Sequence, residues 1–530
     1  MSRNMSAAAD RSSEADSAQK ESSAGVTDYG VGYVSSGGGD GVYARDLEAG
    51  GSLFAKLQRL AGRFGVEQRG IERVPAAEQT DKSIIQVGTL WFSANMVVSS
   101  FAIGALALPV FGLGFVDSAL TIIFINFLGV LPVCFFSTFG PHFGLRQMVL
   151  SRFWFGYWGV KLIAVFNVLA CTGWSAVNVI VGAQFFHAVN GNMPGWAGVV
   201  TIAAATLVIC TFGYRVVHAY ERWSWVPMFV MFLVVLGTFA ARGGPGGVGS
   251  GFDSLLPLAS GPRETGAVLS FAASVFGFAT GWTSYAADYT VYQPASRPRR
   301  LVFLCVFVGL FAALCFTELL GAAVATAMAR DPAYAAAYRD AHVGGLLAEV
   351  LVPRLGRFGE FCIVLLGLSI VGNNCPNAYS VSLTLQVLSA RTQRVPRFLW
   401  TFAGTCAYVA VAIPGYAHFE STLESFMLVI AYWLAVYEGI ALSEHFFFRR
   451  GFAGYRPEDY ATPSRLPPGL AAVVAFCAGA AGAALGMSQH WYTGPIGTLC
   501  GGDVGFELAF VFAGITYTAL RPFEKAHFKR

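Results

Sequence analysis

The chain has 530 residues, of which 55% are hydrophobic and only 12% charged, and its formal charge of +4 is spread among short connecting stretches. Soluble domains carry roughly twice that charged fraction, so the composition excludes a water-soluble fold, and the lack of one basic patch removes nucleic-acid binding. Ten cysteines form no CxxC pair and no Cys/His spacing suited to a metal; most, such as Cys134, Cys171, Cys210, Cys305, Cys315, Cys362 and Cys406, lie in apolar runs and read as small buried hydrophobes.

Residues 1–50 are rich in Ser, Gly, Ala, Asp and Glu and read as a disordered cytoplasmic tail, because too little apolar surface is available to offset ordering entropy. Leu53, Leu57, Leu60 and Phe64 follow at helical spacing with Lys56, Arg59 and Arg63 between them, so 51–86 reads as a juxtamembrane segment containing a short amphipathic helix. Residues 1–80 hold no apolar core of a cleaved signal peptide, and insertion is expected to rely on the first membrane helix.

A bilayer core about 30 Å thick needs about 20 mostly apolar helical residues. Twelve windows meet that need, near 87–110, 117–138, 160–187, 195–213, 224–241, 266–287, 301–328, 358–388, 398–414, 422–444, 467–486 and 503–520, giving a transporter domain over 87–520 and a cytoplasmic tail over 521–530. Even-numbered connections carry Arg146, Arg152 and Lys161, then Arg215 and Arg222, Arg297 to Arg300, Arg391 to Arg397, and Arg449 to Arg465. By the positive-inside rule this alternation puts both termini in the cytoplasm. The connections near 242–265 and 329–357 are exceptions, and the second is read as a long loop.

Polar groups at membrane depth are costly and mark functional sites. Four windows hold such groups: WFSANMVVSSFAIG in the first, ACTGWSAVNVIVGA in the third, FGFATGWTSYAADY in the sixth and SIVGNNCPNAYS in the eighth. In the eighth, Asn373, Asn374 and Asn377 surround Pro376, which cannot donate to the Gly372 carbonyl and predicts a kink. Trp174 and Asn178 in the third are four residues apart and share a face. Ser99, Ser100 and Gly104 in the first window match Gly277, Gly281 and Trp282 in the sixth as helix-interrupting residues. Such matched interruptions point to broken helices around a midplane site in inverted-repeat transporters. If windows one to five repeat as six to ten, Trp174, Trp282, Asn178 and Asn377 meet at one cavity. Two indoles suit a flat ring. A carboxamide suits the amino/ring-nitrogen edge of a base.

These blocks, with GVEQRGIERV, FSTFGPHFGLRQMVLSRFWFG, HAYERWSW and NNCPN in order, resemble the nucleobase-cation-symport-1 family, and within it the fungal purine-cytosine permease branch, from Gly65 to the last windows. The resemblance implies an all-α polytopic membrane protein with twelve transmembrane helices, a LeuT-like five-plus-five inverted repeat plus two C-terminal helices. It also implies plasma-membrane proton symport of cytosine, adenine, guanine and hypoxanthine, with no other cofactor and no obligatory protein partner. Carried over by position, it makes Ser100, Trp174, Asn178, Trp282 and Asn377 substrate contacts and Asn373, Asn374, Pro376 and Gly281 site-shaping residues. Glu221 matches an acidic position important for transport, and with Asp288 and Glu318 it is a candidate for gating or proton coupling. Sodium-coupled relatives place hydroxyls where this chain has Val371 and Gly372, which favours protons.

Related permeases carry pyridoxine, thiamine, uracil or allantoin, and these are the alternative substrates. A membrane enzyme has little support, because His142, His187, His218 and His342 are scattered and no Ser/Lys or Asp pair occurs within a window. A channel would be expected to show a charged or carbonyl-lined ring, which is not evident.

Overall fold

In the computed structural model, residues 57, 60, 61, 63, 66, 69–212, 214–241 and 262–530 are described; the expected N-terminal tail, Leu53, Phe64 and Arg242 lie outside them. Each predicted window holds helix, and the windows are called the first to twelfth segments below. The first is Ile85–Asn95 followed by Val98–Ala105, the second Phe115–Ser137, the third Arg152–Val189, the fourth Gly195–Phe212 and the fifth Tyr214–Ala241. The sixth is Pro262–Thr280 followed by a 3-10 turn over Thr283–Tyr289, the seventh Arg299–Thr326, and the eighth Arg357–Leu368 followed by Ile370–Leu388. Arg397–Gly415, Phe419–Ser443, Leu470–Gly486 and Gly505–Phe528 complete the set.

Nine helices among the described residues are long and apolar enough to cross a membrane, or ten when the bent first segment counts as one crossing. The chain is therefore a multi-pass membrane protein. Its outward faces carry large apolar side chains such as Phe124, Leu169, Leu304 and Phe402, as a lipid-facing surface requires.

Two segments are broken. The halves of the first meet at 54°, and the chain straightens at Val97 (φ −140°, ψ 161°), a few residues before the predicted interruption at Ser99 to Gly104. The break falls there because a tertiary partner is available: the Val98 N–H donates to Ser369 Oγ of the eighth segment at 3.2 Å. Gly104 has another use. A Cβ there would lie 1.9 Å from the Glu318 carbonyl oxygen, so the glycine lets the first and seventh backbones touch. The sixth segment breaks at Gly281 and Trp282, where predicted.

Helix runs without interruption from Ile370 to Leu388 through Pro376, and the irregular residue of the eighth segment is Ser369, seven positions earlier. Four further differences stand out. The presumed loop near 329–357 is helical over Pro332–Leu355, started by Asp331, whose side chain accepts from the Ala333 N–H at 2.9 Å, and by Pro332 in the first turn. The expected tail at 521–530 continues the last helix to Phe528, with Arg521 buried between Glu444 and Glu524. Arg146, Arg152 and Arg397, read as loop charges, are buried because each guanidinium donates to carbonyls of a neighbouring segment. Of the cysteines read as buried, Cys305 and Cys315 are half-buried and Cys406 is exposed on the ninth segment.

Candidate functional site

The third and eighth segments pack along each other, and the break of the sixth lies against both. Small residues allow the approach. A Cβ on Gly281 would reach Trp174 Nε1 at 3.4 Å, and one on Gly277 would lie 2.3 Å from the Met427 carbonyl oxygen of the tenth segment. Where these helices meet, Trp174, Trp282, Asn373 and Asn377 line one internal void together with Phe278, Gly281 and Tyr285. Its volume is about 10 Å³, close to the least that holds a single water.

The aromatic walls are built from edge-to-face contacts, the arrangement ring quadrupoles favour. Trp174 meets Phe278 at 5.1 Å and Phe426 at 5.5 Å between ring centroids, and Trp282 meets Trp91 at 5.5 Å and Tyr285 at 5.8 Å. The Trp282 indole N–H donates to Asn95 Oδ1 at 3.2 Å, and Asn95 Nδ2 donates in turn to the Trp91 carbonyl at 2.9 Å. Both indole planes are thus fixed by neighbours on other segments.

The polar wall is a chain of carboxamides. Asn178 Nδ2 donates to Asn373 Oδ1 at 2.7 Å, and Asn373 Nδ2 donates to the Ala94 carbonyl at 2.6 Å, beside the break of the first segment. Asn377 Nδ2 donates to the Asn373 carbonyl at 3.2 Å, and Asn377 Oδ1 accepts from the Tyr285 hydroxyl at 2.7 Å. Asn178 therefore stands behind Asn373 instead of lining the void, and Ser100, fully buried after the first break, does not line it either. Asn374 points away, toward Thr206 Oγ1 at 3.5 Å. It faces the fourth segment and not the side that Asn373 and Asn377 share.

The three candidate carboxylates sit in different settings. Asp288 Oδ1 accepts from the Gln147 N–H at 2.7 Å, and Arg146 donates to the Asp288 carbonyl at 2.9 Å, so this residue is tied into a backbone junction. Glu318 accepts from Asn126 Nδ2 at 2.7 Å across the second and seventh segments. Glu221 is wholly buried, although the sequence put it near a solvated loop. Its carboxylate lies against the eighth segment, where a Cβ on Gly372 would come within 3.3 Å of Oε1. The hydroxyls of Ser93 and Ser224, 2.7 Å from each other, are the polar side chains beside it.

Sequence reasoning missed Tyr285, Phe278 and Asn95 as parts of the wall. Tyr285 was findable in principle, because a 3-10 turn after Thr280 brings residues 282 and 285 to the same side. Asn95 was not, since its role depends on where the first segment breaks. A fourth buried carboxylate, Glu438, also escaped notice and takes the hydroxyls of Thr280 and Thr283.

Paired broken helices, with a third and an eighth helix closing a narrow slot between them, define a membrane carrier of the LeuT-like inverted-repeat class. Comparison with solved structures agrees: Mhp1, a nucleobase-cation-symport-1 family transporter in a closed conformation with bromovinylhydantoin bound, superposes with a TM-score of 0.64 at 13% identity, covering 88% of this chain and 96% of that one. A Na+-coupled sialic acid symporter matches at a TM-score of 0.57 and 12% identity, over 91% of this chain and 96% of that one. A family model described as permease for cytosine/purines, uracil, thiamine, allantoin matches residues 73–509. The purine-cytosine permease fcyB of Emericella nidulans is 57% identical over 483 residues, 91% of this chain and 93% of that protein. Purine-cytosine permease FCY2 of Saccharomyces cerevisiae is 46% identical, covering 88% of each chain, and the vitamin B6 transporter TPN1 of the same yeast is 29% identical, covering 90% of each. The chain belongs to this cytosine/purine permease family, the nucleobase-cation-symport-1 transporters, and is a transporter and not an enzyme.

Proposed function

We propose that the protein carries cytosine and the purines adenine, guanine and hypoxanthine into the cell across the plasma membrane by proton symport, with twelve crossings and both termini in the cytoplasm. The observation that carries this reading is the meeting of Trp174, Trp282, Tyr285 and Asn377 on one internal void. A planar ring held between indole faces gains about 1–3 kcal/mol for each aromatic it stacks on. The Asn377 carboxamide, now spent on Tyr285 and on the Asn373 carbonyl, supplies the adjacent donor and acceptor that an amino/ring-nitrogen edge needs. No charged side chain lines the void, so a neutral heterocycle suits it better than an amino acid or a nucleotide.

Because the walls have closed to about one water's width, substrate entry requires Trp174, Phe278 and Phe426 to part. That movement is the gating step. Asn178, Asn373, Asn374, Pro376 and Gly281 shape the slot, and Ser100 supports the first break beside it. Glu221 is the carboxylate that takes the coupling proton: it is wholly buried, has no cation beside it among the described residues but only the hydroxyls of Ser93 and Ser224, and is set against Gly372 between the fifth and eighth segments, where sodium-coupled relatives bear hydroxyls. Asp288 and Glu318 already have donors and act in gating.

The test is uptake of radiolabelled cytosine in cells lacking their own permeases. Unlabelled adenine, guanine and hypoxanthine should compete, uracil, pyridoxine and thiamine should not, and a protonophore should abolish accumulation while sodium removal leaves it intact. Competition by pyridoxine alone would move the protein to the vitamin B6 side of the family, and sodium dependence would reverse the coupling assignment.

A further inference from the structure

One buried carboxylate, Glu438, bonds the residues on either side of Gly281 and Trp282 in the substrate wall, and the reading above leaves it without a role. It lies on the tenth segment with 2% of its surface exposed and forms no ion pair among the described residues. The charged groups on elements packed around it are engaged elsewhere. Arg521 is held by Glu444 and Glu524, Arg449 by Glu444, Arg152 by the Tyr460 carbonyl, and Lys161 lies over the Trp158 ring at 4.1 Å.

What Glu438 does hold is the broken sixth segment. Its Oε1 accepts from Thr280 Oγ1 and, at 3.2 Å, from Thr283 Oγ1, and the two hydroxyls lie 3.0 Å apart. Thr280 is the last residue before the break and Thr283 the first after it. One oxygen therefore spans Gly281 and Trp282, the two residues that leave the helix, and Trp282 is the one whose ring walls the void. Backbone freed by a break has few partners in a membrane, and its direction is set by whichever side chains pin the two ends. On the opposite edge the Trp282 indole is pinned by Asn95.

We propose that Glu438 is a positioning residue for substrate binding, whose carboxyl oxygen clamps both ends of the sixth-segment break and so aims the Trp282 ring at the substrate. It acts through Trp282 and does not touch the substrate. The proposal rests on the reading that Trp282 stacks the base, and the experiment separates the two. The clamp needs an acceptor oxygen and not a negative charge, so Glu438→Gln keeps it and Glu438→Ala removes it.

Initial-rate cytosine uptake is measured for the parent, Glu438→Ala and Glu438→Gln, normalised to surface protein. Losing the acceptor of two buried hydroxyls should raise KM about tenfold in Glu438→Ala with Vmax nearly unchanged. Glu438→Gln should restore KM to within about threefold of the parent, and its accumulation should still collapse with a protonophore. An unchanged KM in Glu438→Ala overturns the clamp, and so does a Gln variant as impaired as the Ala one, which would assign the residue to charge or proton movement. If Glu438→Ala does not reach the surface, Thr283→Val removes one donor from the same oxygen, and an unaltered KM there is equally fatal. Failure of the underlying reading looks different: a Trp282→Leu variant measured alongside would keep the parental KM.

Discussion

The two broken helices look alike in outline and are held in different ways. The first break is tied to the eighth segment by neutral groups: Ser369 Oγ takes the Val98 N–H, and Asn373 donates to the Ala94 carbonyl. The sixth break is tied to the tenth segment through a carboxyl group, Glu438, and its two threonines. The difference matters because the eighth segment also supplies Asn373 and Asn377 to the void, whereas the tenth supplies none of its lining. The first break and the polar wall are therefore tied to one helix. The sixth break is tied to a helix that lines none of the void.

The sharpest way to break this comparison is Asn373→Ala. It removes the tie to Ala94 and strands the amide of Asn178, two buried hydrogen bonds at once, so uptake should fall about a hundredfold or more at equal surface protein. Uptake near the parental rate would show that the eighth segment does not hold the first break. Asn377→Ala should cost nearly as much, abolishing measurable cytosine uptake, because it removes the only carboxamide in the lining besides Asn373. A smaller effect is expected for Ser369→Ala, which takes one acceptor from one backbone N–H: about a fivefold rise in KM, read from initial rates. The smallest belongs to Asn374→Ala. Its amide reaches only Thr206 at 3.5 Å, so uptake should stay within about threefold of the parent, and a total loss would mean that it turns toward the void during transport.

Much of this was legible in the sequence for identifiable reasons. Long apolar runs fix helix positions because a bilayer leaves the backbone no other partners, and all twelve windows came out helical. Gly281 and Trp282 announced the sixth break, since glycine and an adjoining bulky ring fit a backbone leaving the helix. The first break was foreseen in kind but not in position. Its site at Met96 and Val97 is set by Ser369, a residue 271 positions away from Val98. At Pro376 the helix stays continuous, so the residue that falls outside helix in the eighth segment is Ser369, which the sequence did not single out. Trp174, Trp282 and Asn377 were recognised as a set through the repeat, whereas the link from Asn178 to the void through Asn373 was not legible, because spacing gives a face and not a depth. Glu438 was missed because its meaning depends on the far side of the break.

The central claim is that an indole on the broken sixth segment stacks against an uncharged base. Equilibrium binding of labelled cytosine to the purified protein and to its Trp282→Leu variant tests it most directly. Leucine fills the position without a ring face, so the account predicts an affinity about tenfold weaker, with adenine still displacing label from the parent. Equal affinity in the two proteins would contradict it.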